Sequence, residues 1–289
     1  MAEINRQSII RACVAVTFAA FLIVPALLNH RTTRAQSREH AVELEASLKK
    51  YGFYLQEVAE QSGVNFVHHS PLLDPQINPV LPQIASMGAS VSVSDFNRDG
   101  WNDLYVTNSR FGYKNALYLN KKDGSFMDVA DEMGVAELNR DPTGVSMGSV
   151  WADFDNDGFE DLLVYKWGRP ELFRNNQGSG FTNVTGASGL PDWINANTAI
   201  WLDYNSDGYV DLFIGGYFRE DINLWHLKTT RIFTESFEYS QNGGRNFLLR
   251  NNGKGIFEDV TEETGLTSTR WTLAAGSVDI TRDGIQPWS

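Results

Sequence analysis

Cysteine is nearly absent: Cys13 stands alone, so no disulfide framework can staple the fold and no cysteine-built zinc site can form. Basic residues are also scarce. Lys and Arg number 24 against 36 Asp and Glu, a formal net charge of −12, and no basic stripe exists to attract phosphates, which argues against a nucleic acid partner. No phosphate-binding loop or dinucleotide fingerprint occurs. His68, His69 and His226 lack the i, i+4 spacing of a zinc-protease helix and read as loop histidines without a catalytic task. Long apolar runs are confined to the amino terminus. Ala12 to Leu28 carries no charge, with Arg6 and Arg11 before it and Arg31, Arg34 and Arg38 after it. Residues 1–35 therefore read as a signal peptide or single membrane anchor, with small-residue cleavage contexts ending at Ala26 or Ala35. The uncleaved anchor, through residues 12–28, is the preferred reading, and the remainder of the chain lies outside the cytosol in either case. Residues 36–52, rich in Glu, Lys and Ala, predict a short helical stalk.

What the chain has is repetition. An acidic nine-residue loop occurs at Asp95 to Asp103, Asp153 to Asp161 and Asp203 to Asp211. Side-chain oxygens at positions 1, 3, 5 and 9, with the backbone carbonyl of position 7, suit a hard cation that takes six to eight oxygen ligands, which is Ca²⁺. Glycine at position 6 permits the tight reversal because it has no Cβ. The predicted ligands are Asp95, Asn97, Asp99, Trp101 and Asp103; Asp153, Asp155, Asp157, Phe159 and Asp161; and Asp203, Asn205, Asp207, Tyr209 and Asp211. An EF-hand would need a bidentate Glu at position 12 and flanking helices. Position 12 is instead Val106, Val164 or Ile214, and the flanks alternate or are β-branched, so each loop joins two strands.

A second element follows each loop: Ala116-Leu117-Tyr118-Leu119-Asn120, a glycine turn, then Phe126-Met127-Asp128-Val129. Leu172 to Asn176 with Phe181 to Thr185, and Phe247 to Asn252 with Phe257 to Thr261, repeat the order. Phe53 to Ala59, ending at Gly63-Val64, is a leading half copy. Each repeat thus holds four short strands, two flanking the acidic loop and two around an Asn/Gly turn. Four-stranded units recurring at this spacing predict an all-β fold, a β-propeller over residues 53–289 with roughly four blades present.

The DxDxDGxxDL core and the LYxNxGxGxFxDVTxxxG pattern after it resemble the FG-GAP or VCBS repeat proteins, which include the propellers of integrin α chains and the cartilage acidic protein family. The resemblance extends over roughly residues 53 to 284 and implies Ca²⁺ in the acidic loops at the periphery of a ring. The FG and GAP signatures of integrin chains are poorly matched, so integrin-type ligand binding is not implied.

Asp279 to Gly284 opens a fourth loop, but Pro287 stands where its last carboxylate belongs. That predicts a disordered, calcium-free terminus on a truncated propeller, with a ring-closing dimer as the alternative. Residues 217–245 form a long segment rich in aromatics, which reads either as a contact surface or as a cover for its own blade. Together these features predict an exported or membrane-anchored Ca²⁺-binding interaction or adhesion module with a protein or glycan partner. The competing expectation is a calcium-dependent polysaccharide lyase, in which Tyr217, His226 or a nearby Lys would act as base.

Overall fold

The computed structural model describes residues 44, 46–80, 88–233 and 239–278. The predicted membrane segment, most of the stalk and the fourth acidic loop lie outside the described residues. Two units are distinguished, Met1–Val58 and Ala59–Ser289. In the first, residues 46–51 are helical and 53–58 adopt no regular structure, so the leading half copy does not form the strand its sequence predicts. Its apolar side chains are exposed, Leu55 at 89 %. Among the described residues no strand precedes it to pair with, and a lone strand is not stable.

The second unit is built from antiparallel strands. β1 (Val91–Ser94), β2 (Asp103–Val106), β3 (Ala116–Asn120) and β4 (Phe126–Asp128) form one blade in sequential order. β5 (Gly144–Ala152), β6 (Asp161–Gly168), β7 (Glu171–Asn175) and β8 (Phe181–Asn183) form the second. β9 (Ile194–Leu202), β10 (Asp211–Phe218), β11 (Phe247–Asn251) and β12 (Phe257–Asp259) form the third. The far end of β6 continues past its own blade and pairs Trp167 with Asn195 and Gly168 with Ile194, which joins blades two and three into one curled sheet. The architecture is a partial β-propeller. Three complete blades are described, and where a fourth would begin the Thr272 N–H donates to the Gly216 carbonyl at 3.2 Å.

Period-2 alternation explains how the blades stack. In β6, Leu162 and Val164 enter a core with Phe96, Tyr105, Leu117 and Phe173 of the first two blades. Leu163, from the opposite face, enters a second core with Phe154, Leu172, Leu212, Ile214 and Phe257. The middle blade is therefore buried on both faces, each buried side chain contributing about 1.5–3 kcal/mol. Outer strands are only three residues long and largely exposed, which limits the edge they present.

The half copy is not wholly without structure. Its terminal turn closes with Val64 N–H to the Ala59 carbonyl, as Val135 closes on Ala130 and Leu266 on Thr261. The Ser62 carbonyl then accepts from Phe126 N–H at 2.7 Å, matching Ser188 and Phe257 at 2.7 Å two seams later. Gly189 is required there: a Cβ would lie 2.2 Å from the Phe257 carbonyl oxygen, and its φ is +78°.

Candidate metal centre

Each acidic loop is a chain reversal held by its own carboxylates. Position 1 accepts from the N–H groups of positions 5 and 6: Asp95 at 2.9 and 2.8 Å, Asp153 at 2.9 and 2.7 Å, Asp203 at 3.1 and 2.9 Å. Position 5 accepts from position 7, through Asp99, Asp157 and Asp207 at 3.0, 2.9 and 2.9 Å. Position 4 is left-handed in all three, with φ of 56° at Arg98, 56° at Asn156 and 57° at Ser206, followed by the left-handed glycine at position 6. The three sequences thus fold into one frame, with backbone N–H groups turned onto the acids and the remaining lone pairs free to gather a cation.

Position 9 opens the strand that follows and is buried in every copy: Asp103, Asp161 and Asp211. Each is pinned by an asparagine at the end of the third strand of its blade. Asn120, Asn175 and Asn251 donate backbone N–H to these carboxylates at 2.8, 2.7 and 2.8 Å. Their side-chain amides then donate to the position-8 carbonyls of Asn102, Glu160 and Val210. Two reach across the seam as well, Asn175 to the Phe96 carbonyl at 2.8 Å and Asn251 to the Phe154 carbonyl at 2.7 Å. Each such asparagine joins an acidic loop to the loop of the preceding blade.

The second loop concentrates the most charge. Oxygens of Asp153, Asp155 and Asp161 lie within 4.8 Å of one another, the one such acidic, His or Cys group among the described residues. Opposite ligands on a single Ca²⁺ are roughly 4.6–5.2 Å apart, so the spacing fits. Asp155 Oδ1 is buried with no hydrogen-bond partner, an unmet need that a cation would satisfy. Burial, and then the neighbouring Asp155 and Asp157, push the Asp161 carboxyl up to about 8. Burial likewise raises Asp103 and Asp211 to about 6. Carboxylates gathered in this way either stay protonated or meet a cation. An all-oxygen donor set suits Ca²⁺ or another hard cation.

Of the predicted ligands of the second loop, Asp153, Asp155 and Asp161 come together. Asp157 stands apart from that group and serves the turn through Phe159 N–H. In the first and third loops Asn97 and Asn205 occupy position 3 and donate to Asp99 and Asp207 at 3.2 and 2.8 Å. Lys122, which the sequence reading passed over, pairs with Asp99 at 3.2 Å.

At the opposite end of the blades the long segment folds back as a cover. Leu224, Leu227 and Ile232 are buried with Leu73, Ile77, Trp167 and Phe218. Its polar side borders a cavity of about 540 Å³ lined by residues that include Arg219, His226, Lys228 and Arg231. Tyr217 packs edge-on against Trp271 at 4.7 Å and does not line that cavity, whereas His226 does.

These blades, with their loop frame, define a repeat protein of propeller type. The FG-GAP-like repeat family matches residues 95–164 and 153–214, which span all three acidic loops, and the chain contains FG-GAP-like repeats. It is also similar to cartilage acidic protein 1 of Xenopus tropicalis, 30 % identical over 83 residues. That match covers 29 % of this chain and 12 % of the relative's length.

Proposed function

We propose that the chain is a Ca²⁺-binding interaction module displayed outside the cytosol, carried by residues 12–28 as an anchor or exported by them as a signal. The observation that supports it most is the second loop, where three carboxylates converge and one buried oxygen has no partner. Ca²⁺ there is structural: it neutralises acids that would otherwise repel and ties the end of β5 to the start of β6. The first and third loops are further Ca²⁺ sites on the same frame. A protein or glycan is the partner, and the cavity bordered by Arg219, His226, Lys228 and Arg231 is the contact region best suited to an anionic group on it, since most of its charge is positive on an otherwise acidic chain. Fractionating cells that express the full chain, with protease added outside, tests the topology. Protection of residues 53–289 in intact cells would contradict it. Binding to an array of acidic and neutral glycans, with and without calcium, tests the partner class, and an Arg231→Gln variant with unchanged binding would contradict the assigned surface.

A further inference from the structure

We infer that Lys122 is a built-in counter-cation for the first acidic loop, so that the three loops form a graded series in which the second binds Ca²⁺ most tightly and the first most weakly. This rests on the calcium reading above. Lys122 lies in the turn between β3 and β4, a five-residue link between Asn120 and Phe126 closed by Lys121 N–H to the Ser125 carbonyl. The corresponding links run from Asn175 to Phe181 and from Asn251 to Phe257, which places Gln177 and Gly253 at the same point. All three residues are left-handed there, with φ of 66°, 54° and 72°, so the backbone aims position-equivalent side chains alike.

Only the first link carries a cation at that point. Lys122 Nζ sits 3.2 Å from Asp99 Oδ2. Asp99 is the position-5 ligand. A second cation entering that loop meets three carboxylates, one already paired, plus the amide of Asn97. The second loop carries four carboxylates, Asp153, Asp155, Asp157 and Asp161, of which Asp153, Asp155 and Asp161 converge, and the turn position equivalent to Lys122 is the neutral Gln177. The third loop is intermediate: Asp203, Asp207 and Asp211 with Asn205, and no side chain at Gly253. Lys254, the next residue, makes no ion pair among the described residues. Other cations do not level the series. Arg98 extends toward the second loop but lies over the Phe159 ring at 5.5 Å, and Arg174 acts on Asp155 only as a weak contributor. Affinity in oxygen cages follows ligand charge count, which sets the order.

The aromatic at position 7 differs in each loop, Trp101, Phe159 and Tyr209, and gives a site-resolved measurement. Terbium, a luminescent stand-in for Ca²⁺, is titrated into the full chain with excitation where only tryptophan absorbs, and Trp101→Phe identifies the first-loop signal. In the wild type that signal should rise last, after calorimetric heat from the tighter sites is spent. Lys122→Gln, a residue the fold already accepts at Gln177, should move the first-loop midpoint about tenfold lower in terbium, the equivalent of about 1.4 kcal/mol. The reciprocal Gln177→Lys should weaken the second loop by a similar factor in calorimetry. An unmoved midpoint in Lys122→Gln, or a first loop that fills before the second, would overturn the inference while leaving calcium binding intact. Absence of binding at every loop would instead overturn the calcium reading on which it rests.

Discussion

The two ends of the blades follow different rules. At the acidic-loop end each blade repeats one device within itself: a nine-residue frame, a buried position-9 aspartate and an asparagine pin. The far end adds contacts between segments distant in sequence. There the segment after Phe218 reaches back to the start of the unit, with Asp74 accepting Leu227 N–H at 2.8 Å and the Leu224 carbonyl accepting Asp74 N–H at 2.9 Å. Lys166, fully buried on β6, ties the linker to the blade through Glu171 at 2.9 Å and the Leu138 carbonyl at 2.6 Å. The difference teaches that the loop end is modular, so damage stays in one blade and its neighbour, whereas the far end is a single knot of long-range contacts.

The largest expected effect breaks the knot. Glu171→Ala strips Lys166 of its carboxylate and leaves a buried, uncompensated cation, which should cost about 3–5 kcal/mol in urea unfolding. The double variant Lys166→Met with Glu171→Leu sharpens the point, because replacing both charges with apolar groups should recover most of that loss. Full destabilisation in the double variant would mean that packing, not the uncompensated charge, dominates there. Leu224→Ala comes next, at about 2–5 kcal/mol, since Leu224 is fully buried in the far-end core. Hydrogen exchange should accelerate at Ile77 as well as around Leu224, and acceleration confined to the cover itself would show that the two segments are not coupled. Asn175→Ala should cost less, about 1–3 kcal/mol, by leaving the Phe96 and Glu160 carbonyls without their donor. Its exchange signature should stay at the first two loops. A spread to the third blade would contradict modularity.

The same contrast decides what the sequence made legible. Every carboxylate of an acidic loop falls within nine residues, so the frame could be read from spacing and the strands from the apolar runs on either side. The four-stranded make-up of each described blade followed from the repeated order of residue types. Asn175 stood visibly in that pattern, yet its role could not be read, because the Phe96 carbonyl it holds lies 79 residues away. Leu227 and Asp74 are 153 residues apart, and nothing in either segment announces the other. Lys166 looks like any polar residue of an alternating strand; only the approach of Glu171 and the linker carbonyl shows that it is buried. The leading half copy shows the same limit: residues 53–58 carry the local pattern, yet among the described residues no strand lies before them to pair with and they form none. Among the described residues, local repetition was readable and long-range closure was not.

Calorimetric titration of Ca²⁺ into the full chain, in the wild type and in Asp155→Ala, tests the account most directly. Asp155 carries the buried oxygen without a partner and belongs to the one convergent carboxylate group among the described residues. The account predicts at least two calcium equivalents in the wild type, with the tightest weakened tenfold or more in the variant. A wild type that takes up fewer than two equivalents, or a variant whose isotherm superimposes on it, would contradict the claim that these loops are calcium sites.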